Sequence, residues 1–234
     1  MNSIITVGVD ADDTLWHSES LFRLTHKRFV DLLAEHGDEE RINAQLAATE
    51  KRNLRLYGYG AKGFTLSMIE TAMELTDGEV STRVIREILA AGREMLTEPV
   101  EPLPGVEHAL AELSKRYRLI LITKGDLLHP EQKLAASGLG DLFAAVEIVS
   151  EKDADTYRRT FARHGTGAEQ AVMAGNSMRS DILPALAAGS WSALIPYPLV
   201  WAHEAAEAPV DHPRYAELAS ISELPAWVDR IATG

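Results

Sequence analysis

The stretch Ile4-Ile5-Thr6-Val7-Gly8-Val9-Asp10-Ala11-Asp12-Asp13-Thr14 decides how the chain is read. Its first half is a short apolar run rich in Ile and Val. A run this short, bounded by polar residues, reads as a strand buried on both faces, the kind found in parallel sheets. It stops abruptly in three acids and a hydroxyl, so a cluster of oxygen-bearing side chains is predicted at the carboxyl end of the first strand.

Similar runs recur at Leu119–Ile122, Val146–Val149, Ala171–Ala174 and Ala193–Ile195. Helical patterns separate them. Pro104-Gly105 opens one with Val106, Leu110 and Leu113 on a face, Pro130 begins another that stops at Gly138, Asp153 to His164 forms a third, and Ile182–Ala188 a fourth. Strands and helices alternating at this length imply right-handed βαβ units and an α/β fold with a doubly wound parallel sheet. Between Leu15 and Pro99 the strand signal disappears. Leu21, Leu24, Phe29, Leu32 and Leu33 space as one amphipathic helix; Ile85, Ile88, Leu89 and Met95 space as another, with Ile69, Ala72 and Met73 suggesting a third. Glu98-Pro99-Val100-Glu101-Pro102 reads as a return linker. The expected division is a core of residues 1–15 and 99–234 with an all-helical insertion at 16–98.

The 234 residues carry 23 Lys and Arg against 35 Asp and Glu, a net charge of −12. Such a surface repels a phosphate backbone, so general nucleic-acid binding is not expected. The absence of cysteine excludes disulfides, thiolate catalysis and iron–sulfur clusters. The first residues lack a basic segment followed by a long apolar one, and no stretch approaches the roughly 18 apolar residues of a membrane span. A cytoplasmic protein, monomer or homodimer, with no membrane partner is the expectation.

In an open parallel sheet, reactive groups collect beyond the carboxyl ends of the strands. Asp10, Asp12, Asp13 and Thr14 follow the first strand, and Thr123, Lys124, Gly125 and Asp126 the second. Ser150, Glu151, Lys152 and Asp153 follow the third, and Gly175, Asn176, Ser177 and then Asp181 the fourth. Carboxylates, hydroxyls and lysines converging on one edge suit a divalent cation holding a phosphate.

These elements, in this order, resemble the haloacid dehalogenase (HAD) superfamily in its phosphatase branch: an apolar strand ending DxDxT, a second ending in Thr, a Lys, then GNSxxxD. The resemblance implies a Rossmann-like core with a helical cap of the C1 type inserted after the first motif, and a Mg²⁺-dependent hydrolase of a small phosphate ester. It implies Asp10 as nucleophile, forming an aspartyl-phosphate, and Asp12 as the acid that protonates the leaving alkoxide and then activates water. Thr123 would donate to the phosphoryl oxygens, with Lys124 and Gly125 beside it, and Lys152 would neutralise charge on Asp10 and the phosphate. Asp10, the Asp12 carbonyl, Asn176 and Asp181 would hold the metal. Asp12 must hold a proton near neutral pH, which crowding by other carboxylates would favour.

Two positions depart from the family's pattern. Asn176 stands where an Asp is common, which removes one negative charge and gives Asp181 more weight, directly or through a water. Lys124 stands where Asn is common; it adds positive charge at the phosphate or points to solvent.

Several residues have plainer readings. Asp13, Asp126 and Asp153 fit helix caps. Gly58-Tyr-Gly60-Ala-Lys-Gly63 matches GxGxxG, yet no strand precedes it, so a cap loop presenting Tyr57, Tyr59 and Lys62 is expected in place of a dinucleotide site. The eight histidines show no metal-binding spacing. Trp16 packs on substrate or seats the cap, and Trp201, His203 and Glu204 are expected at the surface. The alternatives to a phosphatase are a 2-haloacid dehalogenase, which needs no acid two residues past the nucleophile, and a sugar-phosphate mutase. A phospho-receiver, with no place for the insertion, and a catalytically silent binding protein are the readings of another class.

Overall fold

The computed structural model describes residues 4–199, 201 and 204–233. Its six-stranded sheet has the order β3-β2-β1-β4-β5-β6, where β1 is Thr6–Val9, β2 Arg118–Lys124, β3 Ala145–Val149, β4 Ala171–Gly175, β5 Trp191–Leu194 and β6 Tyr215–Glu217. Every pairing is parallel. The chain winds outward from β1 through β2 to β3, then returns to the other side of β1 and winds through β4 and β5 to β6. β1 is therefore the point of reversal, where an open sheet leaves a crevice beyond its strand ends. Val9 is level with Leu121 on β2 and Ala174 on β4, so Asp10 emerges between both neighbours.

Strand residues alternate between two helical layers. Leu119 and Leu121 join Val7, Val9, Leu110, Leu113, Trp227 and Val228 in one core, beneath α5 (Val106–Ser114) and α9 (Leu224–Thr233). Ile120 and Ile122 join Met173, Tyr157, Phe161 and Ala185 on the other face, beneath α7 (Ala154–His164) and α8 (Leu183–Ala188). Each fully buried large side chain contributes roughly 1.5–3 kcal/mol. This is why the strands read as unbroken apolar runs. The three-residue β6 was too short to leave such a run.

The chain divides into two compact units, Met1–Glu19 with Val100–Gly234, and Ser20–Pro99. The second unit carries four helices: α1 (Glu19–Leu32, continuing from the first unit), α2 (Glu39–Tyr57), α3 (Ala61–Leu75) and α4 (Thr82–Thr97). Its core is Phe29, Leu33, Ile42, Leu46, Phe64, Met68, Ala72, Val84, Ile88 and Met95. Asp38 and Ser81 cap α2 and α4, accepting from Arg41 N at 2.9 Å and Val84 N at 3.2 Å. Leu24, Met73 and Leu89, placed by their spacing on buried faces, are exposed. The GxGxxG stretch is the α2–α3 connection. Gly58 and Gly60 have positive φ, and Gly63 lies inside α3, where a Cβ would come within 2.8 Å of the Gly58 carbonyl. The glycines thus serve a tight helix–helix turn. Among the described residues no helix is long and apolar enough to cross a membrane.

Candidate active site

Asp10 leaves β1 with its amide bonded to Ala174 O at 2.9 Å, an extra ladder bond that fixes its backbone. Its side chain is buried, with one oxygen paired to Lys152 Nζ and the other accepting from Thr14 Oγ1 at 3.2 Å. Burial and the charge of Asp181 push its pKa up to about 7, against the opposing pull of Lys152.

Lys152 follows β3, and its side chain is 2% exposed. Its ammonium also donates to Asp181 Oδ1 at 2.7 Å, so it bridges two carboxylates. Burial opposes its charge, but Asp10 and Asp181 together hold its pKa above the usual lysine range. Asp181 lies in a π-helical turn, Met178–Ile182, that leads into α8. Its second oxygen accepts from Ser177 N at 2.9 Å. Gly175 leaves room for this carboxylate: a Cβ there would come within 2.2 Å of Asp181 Oδ2.

Thr14 Oγ1 accepts from Asn176 N at 3.1 Å, tying the ends of β1 and β4 together. The inner terminal atom of the Asn176 amide faces Asp10 Oδ2 at 3.3 Å, the Asp12 carbonyl at 3.1 Å and Thr14 Oγ1 at 3.2 Å. With nitrogen inward, the amide shares its two N–H bonds among these three acceptors. With oxygen inward, it completes an oxygen cluster that a cation would hold together. The spacings fit such an ion, since cis ligands at about 2.1 Å in an octahedron lie about 3.0 Å apart. Among the described residues no three acidic or histidine side chains converge on a metal position. The oxygens of Asp10, the Asp12 backbone and Asn176 are spaced as a cation's ligands would be. The carboxylate of Asp181 is already engaged by Lys152 and the Ser177 amide.

Asp12 is held differently from the expectation drawn from its acidic neighbours. Its Oδ1 accepts from Lys133 Nζ at 2.5 Å and Trp16 Nε1 at 2.7 Å. Burial opposes its ionisation, but Lys133 and Trp16 outweigh that and hold its pKa below the usual range. Lys133, on α6 (Leu128–Ser137), gave no sequence signal. Trp16 is 1% exposed and belongs to the core of the first unit, so it is no stacking surface for a substrate.

Asp13, at φ 59°, caps the start of α1 by accepting from Ser18 N and Glu19 N. Asp126 accepts from His129 N at 3.3 Å and Asp153 from Thr156 N at 2.7 Å, so all three take their plainer reading. Thr123 is buried at the end of β2, where its hydroxyl donates to the Lys124 carbonyl at 3.3 Å. Gly125 turns the chain there at φ 137°, an angle side-chain-bearing residues avoid.

Lys124 does not point to solvent, nor is Glu204 a surface residue. Lys124 Nζ contacts Glu204 Oε1 at 2.7 Å and Ser180 Oγ at 2.8 Å, with the two charged side chains 12% and 17% exposed. Burial opposes ionisation of Glu204, but Lys124, Ser177 and Ser180 hold its pKa below the usual range. His203 lies outside the described residues.

The comparisons with known proteins agree with this geometry. A family model describing haloacid dehalogenase-like hydrolases matches residues 4–189. A haloacid dehalogenase-like family hydrolase from Xanthomonas campestris is 44% identical, with a TM-score of 0.88 over 99% of this chain and 93% of that one. More distant structures share the fold. The magnesium-bound HAD-hydrolase YfnB of Bacillus subtilis is 16% identical, with a TM-score of 0.66 over 97% and 99% of the two chains. The L-2-haloacid dehalogenase of Xanthobacter autotrophicus, with chloropropionic acid covalently bound, is 17% identical, with a TM-score of 0.64 over 97% and 98%. No curated protein matches the sequence. By its strand order, the placement of its acidic loop and these matches, the chain belongs to the haloacid dehalogenase-like hydrolases.

Proposed function

We propose that the protein hydrolyses a small phosphomonoester through Asp10. The observation that supports this most is the second carboxylate, Asp12, carried on the loop of the nucleophile and oriented by Lys133 and Trp16. Displacement of a halide has no use for such a group, whereas an alkoxide leaving group needs a proton.

In this reading the Asp10 carboxylate attacks phosphorus, the bond to the ester oxygen breaks, and the leaving oxygen takes its proton from Asp12. Water then attacks the aspartyl-phosphate, giving its proton to Asp12 and releasing phosphate and free Asp10. Asp12 is ionised beside Lys133; the negative charge of an arriving phosphate ester raises its proton affinity, and it takes up the proton carried by the ester monoanion before passing it to the leaving oxygen. Lys152 orients Asp10 and balances charge, held in place by Asp181, which the Ser177 amide fixes in turn. Thr123 and the Gly125 amide are suited to hold phosphoryl oxygens. When bound by Asp10, the Asp12 carbonyl and Asn176, Mg²⁺ would offset the repulsion between two anions.

A second reading has support of its own. Turned nitrogen-inward, the Asn176 amide satisfies the same oxygens without a cation, and Asp12 is held ionised. Both features suit displacement of a halide from a 2-haloacid, in which Asp10 attacks carbon and the leaving group needs no proton. Release of phosphate from p-nitrophenyl phosphate and of chloride from 2-chloropropionate, each with Mg²⁺ and with EDTA, separates the two. Metal-dependent phosphate release supports the phosphatase, and metal-independent chloride release replaces it.

A further inference from the structure

The Glu204 carboxylate sits among three donors placed by other parts of the chain. Lys124 Nζ meets Oε1 at 2.7 Å, Ser180 Oγ meets Oε2 at 2.5 Å, and Ser177 Oγ donates to the same Oε2. The donors do not depend on Glu204 for their positions. Lys124 ends β2, its ammonium bonded to Ser180 Oγ with Glu151 3.9 Å away. Ser177 opens the π-helical turn, its hydroxyl accepting from Ser180 N at 2.9 Å. Both serines are buried. β2 and β4 are the two strands flanking the nucleophile strand, and Lys124 and Ser177 directly follow Thr123 and Asn176. Glu204 reaches them from the stretch between β5 and β6, 80 positions from Lys124.

One ammonium and two hydroxyls converging on both oxygens of a carboxylate is a carboxylate-recognition geometry. We propose that Lys124, Ser177 and Ser180 form a carboxylate-binding site beside the catalytic centre, filled by Glu204 as an internal ligand, and that a carboxylate on the substrate displaces it. The last clause rests on the proposed function, which it narrows to substrates bearing a carboxylate as well as the reacting group. The binding site itself does not. The Lys124–Glu204 pair then acts as a selectivity device: substrates without a carboxylate leave Glu204 in place, and those with one exchange a carboxylate for a carboxylate at little electrostatic cost.

The test is thermal unfolding of wild type, Glu204→Ala and Glu204→Ala/Lys124→Met in sodium acetate, against sodium chloride at equal ionic strength. Acetate stabilises whatever state binds it, in proportion to ln(1 + [L]/Kd). Glu204→Ala should be less stable than wild type and regain several degrees saturably in acetate, while wild type and the double variant follow chloride. An acetate-insensitive Glu204→Ala, or equal responses in all three proteins, overturns the site. Should Glu204→Ala fail to fold, Glu204→Ser, which also withdraws the carboxylate and leaves the space open, tests the same prediction in the same way. Activity is a separate arm: Glu204→Ala should lower KM for 2-phosphoglycolate at least threefold and leave that for phenyl phosphate unchanged. Equal KM changes overturn displacement by substrate. Absence of phosphate release from either ester, with acetate rescue intact, overturns the phosphatase reading and leaves the carboxylate site standing.

Discussion

Lys152 and Asp181 form a buried ion pair at 2.7 Å, and the same ammonium contacts Asp10. Asp181 has no exposed surface, and its other oxygen is held by the Ser177 amide. The pair fixes the height and direction of Lys152 over the nucleophile and lets a positive charge persist in a largely desolvated site.

Asp181→Asn should therefore act through Lys152. Removing one partner of a buried pair costs about 3–5 kcal/mol, and the isosteric amide, which keeps some hydrogen bonding, should fall near the lower end. Urea unfolding measures this. Activity should fall at least tenfold while the Mg²⁺ concentration for half-activation stays put. A tenfold rise in that concentration would make Asp181 a metal ligand.

Lys133→Met should move a limb of the pH–rate profile. The lysine holds Asp12 below its usual pKa, so removing it lets that pKa rise. Whether Asp12 must be charged or protonated at the limiting step, the limb that reports it moves to higher pH, by about one unit for each 1.36 kcal/mol of lost interaction. An unmoved profile for kcat/KM on p-nitrophenyl phosphate would show that the pair does not tune Asp12.

Asn176→Asp should separate the two orientations of the amide. An acid there adds a second carboxylate to the oxygen cluster but cannot donate to Asp10 and the Asp12 carbonyl. In EDTA the variant should be less stable by about 1–3 kcal/mol, the cost of leaving buried acceptors unmet. Titrated Mg²⁺ should reverse the loss and bind at least tenfold more tightly than to wild type, by calorimetry. Equal metal affinity in the two proteins would mean that position 176 does not face the cation.

Much of the core could be read from the chain because its strands are buried on both faces. Ile120 and Ile122 face one helical layer and Leu119 and Leu121 the other, so β2 reads as a solid apolar run ending at Thr123. The same logic found β1 and the loop Asp10–Thr14. It missed β6, of whose three residues two are half-buried and the third, Glu217, is exposed. Of α2 only the end, Lys51–Tyr57, reads as charged helix, although Asp38 followed by Glu39 and Glu40 is a helix-start signal. Lys133 and Glu204 could not be found locally at all. Their partners, Asp12 and Lys124, lie 121 and 80 positions away, and such pairs exist only once the sheet has brought the strand ends together. The expectation for the acidity of Asp12 failed for that reason, since it counted the neighbouring carboxylates and not the distant lysine.

The measurement that bears most directly on the account is chemical trapping of the intermediate on Asp10. Enzyme turning over p-nitrophenyl phosphate with Mg²⁺ is quenched and treated with borohydride, which reduces an acyl phosphate to the alcohol, and the peptide containing residue 10 is analysed by mass spectrometry. Homoserine is expected at position 10, dependent on substrate and absent from Asp10→Asn, which should also release no phosphate. Sustained phosphate release by Asp10→Asn, or modification at another acid with Asp10 intact, would contradict it.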